Sequence, residues 1–241
     1  MSDYGFLDLV FQRWKRRIAL SGDDREALGS LPWAHRTLAR DAYLVREGEP
    51  TSACNLLIGG FAFRQKLVSE GARQIISIHI PGEFLDLQNC FLEVADHNVQ
   101  ALNRATVATV NKTPLLEIMT DRPNLRRAIW LDSLIDSSIF REWVVNLGRR
   151  DARERIAHLL CELAARLKAS GVADGEMYDF PLTQEQIGDA TGLTAVHTNR
   201  TLQSLRKDGL ISLSSSRLAI LDWDALAELG DFNERYLHHS V

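Results

Sequence analysis

The stretch LTQEQIGDATGLTAVHTNRTLQSLRKDGLI, residues 182–211, decides the fold of the C-terminal part of this chain. Thr183 and Gln186 have the spacing of a capping box, in which two side chains three residues apart satisfy the first amides of a helix. Gly192 follows shortly and can end that helix, and Thr194 can cap a second one. The stretch therefore predicts two short helices joined by a tight glycine turn, which is a helix-turn-helix unit.

The residues that follow predict a small β-hairpin. LISL (210–213) and RLAIL (217–221) are β-rich and flank a turn of three serines, Ser214 to Ser216. A hairpin placed directly after a helix-turn-helix is a wing, so the C-terminal part of the chain is predicted to be a winged helix.

The second helix, predicted over residues 194–208, sorts its side chains into two faces. Thr198, Leu202 and Leu205 fall on one face and are expected to pack inward. The opposite face carries groups suited to the major groove of DNA, because Arg can bond guanine, Asn or Gln can bond adenine, and a Val methyl can touch the thymine methyl. The predicted base-reading residues on this face are Val196, Asn199, Arg200 and Gln203.

Positive charge is concentrated around the same helix. Between Thr194 and Arg217 the chain has four Lys or Arg residues and one acidic residue, although its formal net charge is −4 and its pI is near 6.0. A local basic surface is typical of DNA-binding proteins, because DNA is a polyanion. The residues predicted to reach phosphates are Thr183, Thr194, His197, Thr201, Ser204, Arg206, Lys207 and Arg217.

The middle of the chain is rich in short strand-like runs. In IISIHI, Ile76, Ile78 and Ile80 alternate with Ser77 and His79, which is the period of a half-buried strand. Many short strands without long helices between them predict an antiparallel roll or barrel, with VSEGAR (68–73) as a hairpin tip. Residues 1–40, in contrast, are predicted to be helical and peripheral.

A long helix is predicted after Pro123 and up to about residue 147. Its apolar residues cover more than the single stripe that a core-facing helix needs. We therefore expect it to pack against its own domain and against the same helix of a second subunit; a fully buried core helix is the alternative. The residues expected at the dimer contact are Ile129, Leu131, Ile135, Ile139 and Trp143.

Gly148 is expected to end this helix and to act as a hinge. The predicted organisation is α+β: N-terminal helices and an antiparallel β-roll over 1–112, a dimerisation helix over 113–148, and a winged helix over 149–241. An amphipathic helix that stops at Gly171 opens the last segment.

Composition excludes several other classes of protein. No apolar run is long enough for a bilayer span, so no membrane partner is expected. The three cysteines, Cys54, Cys90 and Cys161, are widely spaced, which favours buried thiols in a reducing cytoplasm over a structural metal site. A redox sensor at Cys90 is an alternative, but no neighbour in sequence clearly lowers its pKa, which favours a packed thiol. The chain contains no glycine-rich phosphate loop, zinc-ligand spacing or nucleophile elbow, so no catalytic residue and no enzyme activity are predicted.

The order of these parts resembles the Crp/Fnr family of transcriptional regulators over roughly residues 35–225. The resemblance is carried by LVREGEP (44–50), IPGEF (80–84), the long helix and the winged-helix stretch. It implies a β-roll like a cyclic-nucleotide-binding domain, homodimerisation through the long helix, double-stranded DNA with a two-fold symmetric site, and RNA polymerase as a partner.

The resemblance also implies which residues read DNA and which bind an effector. Family base readers match Ala195, Val196 and Arg200, and the first two differ from the Arg-Glu pair of members that respond to cyclic AMP, so the operator is expected to differ. The effector cassette of the family corresponds to residues 82–102. The residues expected at an effector pocket are Gly82, Glu83, Asp86, Gln88, His97 and Asn98.

The identity of the effector stays open. The Arg-Ser pair that holds a cyclic phosphate is His97-Asn98 here, and a phosphate facing Asp86 without an Arg would be held poorly, so cyclic AMP is disfavoured. No cysteine precedes Cys54, so the iron–sulfur cluster of oxygen-sensing members is not expected. Haem bound by His79 and His97 is an alternative, but surface or hydrogen-bonded histidines are the usual case.

These observations predict a homodimeric, DNA-binding transcription regulator that is controlled by an unidentified signal at the β-roll. The alternative is a ligand-sensing β-roll protein whose helical tail binds a protein partner.

Overall fold

The computed structural model describes residues 5–69, 71–171 and 177–239. By its internal contacts the chain divides into two compact units, 1–66 with 78–137 and 239–241, and 67–77 with 138–238. The division falls inside the long helix rather than at either of its ends.

The β-rich region forms two antiparallel sheets, as predicted for a roll. One sheet has the strand order β1-β7-β3 and the other β2-β6-β4-β5. A core of Leu57, Leu85, Val99 and Val107, with smaller residues, packs between them. Glu70 in the predicted hairpin tip lies outside the described residues. The strands are β1 (Ala34–Leu38), β2 (Tyr43–Val45), β3 (Ala53–Gly59), β4 (Ala62–Leu67), β5 (Arg73–His79), β6 (Asn98–Ala101) and β7 (Ala105–Asn111).

The N-terminal helices belong to the core, so the expectation that they are peripheral is wrong. Helices α1 (Asp8–Lys15) and α2 (Gly22–Gly29) precede β1, which itself lies within the segment predicted to be helical. Trp14 is only 2% exposed and stacks on Phe84 with ring centroids 6.0 Å apart. The face of α1 that carries Trp14 packs into a second apolar cluster with β3, β7 and the helices that follow the roll.

Gly82 allows the close approach between α1 and the cassette. Its φ is +88°, and a Cβ atom on it would lie 2.8 Å from the Cβ of Leu9. Any other residue would be strained there and would push α1 away from the roll.

Two helices follow the roll, α3 (Lys112–Asp121) and α4 (Pro123–Arg149). Helix α4 continues through Gly148 and ends at Arg149, one residue later than predicted, and a hinge motion at this point stays a prediction. The break comes at Arg150, which is buried and donates from Nη2 to Glu142 Oε1 at 2.7 Å. Asp151 then caps the next helix with a capping box. A buried arginine and a strong cap, rather than glycine, therefore separate the two helices.

The C-terminal unit contains the predicted winged helix. Helix α5 ends at Gly171 with φ +72°, and the turn glycine Gly192 has φ +67°. Strand β8 precedes the helix-turn-helix and was not predicted, and it completes a sheet of order β8-β10-β9. None of the described helices is long and apolar enough to cross a membrane. The elements are α5 (Ala152–Ser170), β8 (Met177–Asp179), α6 (Gln184–Thr191), α7 (Ala195–Lys207), β9 (Ile211–Ser214), β10 (Arg217–Ile220) and α8 (Trp223–Leu229).

Candidate nucleic-acid interface

Local signals and packing fix the position of helix α7. Thr194 Oγ1 accepts the amide of His197 at 3.2 Å, which is an N-cap. Thr198, Leu202 and Leu205 are buried, with at most 2% exposure, as the face assignment predicted. Burial of this face against α5 and α6 leaves the opposite face in solvent.

The five predicted base readers share that outer face, which we call the reading face. Ala195, Val196, Arg200 and Gln203 are exposed, Val196 by 63% of its surface. Asn199 is half-buried. The reading face therefore combines a guanidinium, two amides and apolar methyl groups in one place, which is the chemistry of base-edge recognition in the major groove.

Asn199 has a partner that sequence reasoning missed. Its Nδ2 donates to Gln184 Oε1 at 2.7 Å. Gln184 is the first residue of α6 and is exposed. This bond orients the Asn199 amide and places a second amide beside the reading face. Only the fold of α6 against α7 brings the two together, so no sequence signal pointed to Gln184.

The predicted phosphate contacts divide by exposure. Thr201 differs from the others because it is only 5% exposed. Ser204 is half-buried, and its hydroxyl accepts a hydrogen bond from Arg153 Nη1. The exposed members of the set are Thr183, Thr194, His197, Arg206, Lys207 and Arg217.

An open cleft of about 430 Å³ lies beside the reading face. Arg153 of α5 forms one wall and was not identified from the sequence. Its Nη2 donates to Asp208 Oδ2 at 2.7 Å. No carboxylate belongs to the cleft lining that the structure describes, so the cleft suits an anion such as a phosphate. The lining residues are Arg153, Thr194, Val196, His197, Arg200, Thr201 and Ser204.

A buried polar network surrounds Glu162 of α5 in the C-terminal unit. The Glu162 carboxylate is fully buried on α5 and accepts from Trp143 Nε1 at 3.0 and 3.1 Å. Arg166 Nη1 donates to it at 3.0 Å and the Tyr236 hydroxyl at 2.8 Å. Burial raises the pKa of Tyr236, so its hydroxyl stays protonated and donates. The network ties the end of α4 and the C-terminal segment to α5, which supports α7.

Helix α4 is apolar on more than one side, as predicted, but three of the residues chosen for the dimer contact are wrong. Ile129, Ile135 and Trp143 are at most 7% exposed because they pack inside the chain. Leu131 and Ile139 are half-buried. The exposed apolar residues, which we call the outer stripe, are Trp130, Leu134, Phe140, Val144 and Val145, each at least 44% exposed.

The expected effector residues are turned into the β-roll and bonded to the protein. Asp86 is fully buried and accepts from the backbone N of Asn55 at 2.6 Å and from its Nδ2 at 2.5 Å. Burial raises the pKa of Asp86 to about 6. Glu83 lies 3.4 Å from His79 Nδ1 and 3.7 Å from Arg13 Nη1. These contacts satisfy the two carboxylates within the protein.

The other cassette residues are also satisfied internally. His97 Nδ1 lies 2.7 Å from Asp96 Oδ1, and its Nε2 lies 3.3 Å from Gln88 Nε2. Asn98 Oδ1 accepts the Glu47 amide at 3.1 Å.

The two histidines considered as haem ligands are buried, His79 by 98% of its surface and His97 by 94%. Burial lowers the pKa of His79 to about 4 and also lowers that of His97. Within the described part of the chain, no group of three or more His, Cys, Asp or Glu side chains could hold a metal ion.

The cassette has no arginine of its own at the phosphate-binding position, but Arg64 of β4 brings a guanidinium to it. Sequence reasoning missed this residue. Arg64 is 8% exposed and donates from Nε to the carbonyl of Leu85 at 2.8 Å. Its Nη1 bonds Asp136 Oδ2 at 2.5 Å. Asp136 lies on α4, so the Arg64 guanidinium, which interacts electrostatically with Asp86 and His97, is already paired with the long helix.

Two family models match the chain. A cyclic nucleotide-binding domain matches residues 35–122, and a Crp-like helix-turn-helix domain matches residues 154–229. The nitrogen fixation regulation protein FixK of Bradyrhizobium diazoefficiens is 32% identical over 175 residues, which is 71% of each protein. The transcriptional activator FnrL of Cereibacter sphaeroides is 27% identical over 224 residues, 90% of each.

A solved structure shares the fold. The structure of FixK2 from Bradyrhizobium japonicum superimposes with a TM-score of 0.76 at 24% identity and covers 83% of this chain and 98% of that one. The two proteins share the fold over most of this chain, so the helix-turn-helix that carries the reading face belongs to a known architecture.

Proposed function

The chain belongs to the Crp/Fnr family and is a DNA-binding regulator of transcription, and we propose that it acts as a homodimer on a two-fold symmetric operator. Each subunit would place one α7 in the major groove, with half-sites about one helical turn apart. The observation that carries the proposal is the reading face itself, five side chains on one open side of a helix whose other side is buried.

Roles within the reading face follow from its chemistry. Arg200 is the residue we assign to a guanine, since a guanidinium can bond O6 and N7 together. Asn199 and Gln203 are assigned to adenine, with Gln184 holding the Asn199 amide. Ala195 and Val196 offer methyl contacts to thymine.

The phosphate contacts are assigned to exposed donors beside the reading face. Arg206, Lys207 and Arg217 are exposed cations, and the cleft with Arg153 and His197 accommodates a further phosphate. These contacts fix the position of the helix on DNA without reading sequence. Thr201 also lines the cleft but is only 5% exposed, so it is assigned a smaller part in phosphate binding than the exposed donors.

Dimerisation is assigned to the outer stripe of α4. Trp130 and Leu134 are four residues apart, as are Phe140 and Val144, so both pairs recur on one side of the helix. A row of large exposed apolar side chains on a long helix is what a parallel helix pair buries. The same helix in a second copy is self-complementary by two-fold symmetry.

Control by a signal is assigned to the β-roll through its contacts with α4. A signal would act by favouring one of two dimer arrangements, which differ in the spacing of the two reading faces. An anionic effector would have to compete with Asp136 for Arg64, and cyclic AMP is disfavoured for that reason as well. RNA polymerase is the partner that a transcription regulator of this family would contact at the promoter.

The dimer surface is tested by substituting Leu134 with Asp, which places a charge in the outer stripe. We expect light scattering to give the mass of a monomer and operator binding to weaken strongly, while circular dichroism stays native, because Leu134 is 59% exposed. Leu221→Asp, at 60% exposure outside α4, is the matched control and should remain dimeric.

Ile135→Asp distinguishes the outer stripe from the inner face of α4. Ile135 is 7% exposed, so a charge there should unfold the first unit rather than only separate the subunits. A Leu134→Asp protein that stays dimeric and binds DNA normally would place the interface elsewhere.

A further inference from the structure

We propose that Cys54 and Cys90 form a reversible disulfide, which makes the β-roll an oxidation-responsive modification site. Their Sγ atoms lie 3.2 Å apart in the reduced structure. A disulfide needs about 2 Å, so closing the bond requires a shift of only about 1 Å. The two residues are 36 positions apart in sequence, and only the fold brings them together.

The backbone around the pair allows this shift. Cys54 lies within strand β3 and is paired with Val110 of β7. Cys90 ends a one-turn helix, Leu87–Cys90, which is followed by irregular chain. A one-turn helix that leads into irregular chain can move by about 1 Å at lower cost than a strand paired in a sheet, so Cys90 is the partner that moves.

The two thiols differ in their chemistry. The hydrogen bond from Cys54 lowers the pKa of Cys90, although burial opposes this effect. The same hydrogen bond, together with burial and the nearby Asp86, raises the pKa of Cys54. Cys90 is therefore the thiol that reaches the reactive thiolate form first.

Access also favours Cys90. It retains 4% of its surface, whereas Cys54 retains none. The next two residues, Phe91 and Leu92, are 53% and 44% exposed, so the pair lies directly beneath the surface. A small uncharged oxidant of the peroxide class can reach Cys90 through a limited opening of this edge.

The reaction with a peroxide balances as follows. The Cys90 thiolate attacks one peroxide oxygen, the O–O bond breaks, and a sulfenic acid forms on Cys90 while the departing hydroxide takes up the thiol proton as water. Cys54 Sγ then attacks the Cys90 sulfur, the S–O bond breaks, and the second hydroxide takes the Cys54 proton. The two sulfurs lose two electrons, which the peroxide gains. A thiol reductant reverses the step by exchange.

The position of the pair connects it to the long helix. Cys54 and Cys90 belong to the apolar cluster that also contains Leu125, Ala128 and Ile129 of α4. Core packing is dense, so a shift of about 1 Å at the thiols must be absorbed by these neighbours. We therefore expect oxidation to change DNA binding as well, and this second effect rests on the proposed function.

The disulfide is tested by counting free thiols. Purified protein is treated with hydrogen peroxide, then denatured and alkylated, and the intact mass is measured. All three cysteines should be alkylated before treatment and only Cys161 afterwards, with recovery on addition of dithiothreitol. A linked peptide pair that contains Cys54 and Cys90 should appear after proteolysis. Three alkylated thiols after treatment, or overoxidised Cys90 without a linked pair, would overturn the proposal.

Cys161 provides the matched control. It is buried and unpaired on α5, and burial raises its pKa to about 12. Cys161→Ser should still form the disulfide, whereas Cys54→Ser and Cys90→Ser should not. If a serine variant fails to fold, the thiol count and the linked peptide of the wild-type protein still test the disulfide.

The DNA effect is read on the same samples with an operator selected from random DNA by the reduced protein. Operator affinity should change several-fold on oxidation in wild type and Cys161→Ser, and stay constant in Cys90→Ser. A disulfide that forms without a change in affinity would overturn the coupling to DNA. Failure of the reduced protein to select any operator would instead count against the proposed function, with the thiol count unaffected.

Discussion

The reading face of α7 and the cassette of the β-roll are both rich in polar side chains, yet they use them in opposite ways. On the reading face, Arg200 and Gln203 extend into solvent. In the roll, Asp86 and His97 are at least 94% buried and bond to their neighbours. The polar groups of the reading face are hydrated and can replace that water with DNA. The polar groups of the cassette already have protein partners in place of water.

The difference teaches how much each region can change without loss of the fold. A buried polar group that loses its partner costs free energy of unfolding, because water cannot replace the partner. An exposed group loses only its function. Substitutions in the roll should therefore appear in stability, and substitutions on the reading face should appear in DNA binding.

The largest effect is expected for Asp86→Ala. This change leaves the amide of Asn55 and its side-chain Nδ2 without an acceptor in the core. We expect a loss of about 3 kcal/mol in the free energy of unfolding of the first unit. Urea titration measures it, and Gln203→Ala, an exposed polar residue, should change stability by less than about 0.5 kcal/mol. An equal loss of unfolding free energy in the two variants would contradict the difference between the roll and the reading face.

A pH series sharpens the same comparison. The folded pKa of Asp86 is about 6, above its ordinary value of 3.8. Folded protein then holds a proton that the unfolded chain releases, so the contribution of Asp86 to stability is full below about pH 4 and is lost as pH rises to about 6. The difference in unfolding free energy between wild type and Asp86→Asn should shrink by about 2–3 kcal/mol across this window. A constant difference would mean that the buried carboxyl titrates normally.

On the reading face, Arg200→Ala should leave stability unchanged and weaken specific DNA binding. The expected cost is about 1–3 kcal/mol, with relaxed preference at one base pair. Binding to an operator library measures both quantities. Arg36→Ala, an exposed arginine of β1, serves as control. Unchanged binding by Arg200→Ala would favour a helical tail that contacts protein rather than DNA.

The smallest effect is expected for Arg206→Ala. Loss of one phosphate contact should weaken specific and nonspecific DNA by similar factors and reduce the slope of log affinity against log salt by about 0.9. Fluorescence anisotropy at several salt concentrations gives the slope. A slope equal to that of wild type would exclude Arg206 from the phosphate contacts.

Local sequence signals account for the parts of the fold that were predicted. The capping box at Thr183, the turn at Gly192 and the cap at Thr194 each depend on residues within a few positions of one another. The alternating pattern of the roll is equally local. The helix end predicted at Gly148 was one residue early, because a helix can continue through an exposed glycine at a cost of about 1 kcal/mol.

The errors in the sequence analysis concern contacts between distant segments. Helix periodicity showed that α4 is apolar on two sides, but it assigned Ile129, Ile135 and Trp143 to a partner rather than to the chain itself. Periodicity gives the faces of a helix and not which face the core takes. The burial of Trp14 against Phe84 was missed for the same reason.

The sequence by itself determined the winged helix, the roll and the side of α7 that faces outward, because these depend on helical and strand periods and on caps close in sequence. Only the tertiary structure decided that Arg64 pairs with Asp136, that Trp143 donates to Glu162 and that Cys54 contacts Cys90. These pairs join residues that lie far apart along the chain or on separate elements. Their distances are set by how sheets and helices pack, and no local preference of the backbone encodes that packing.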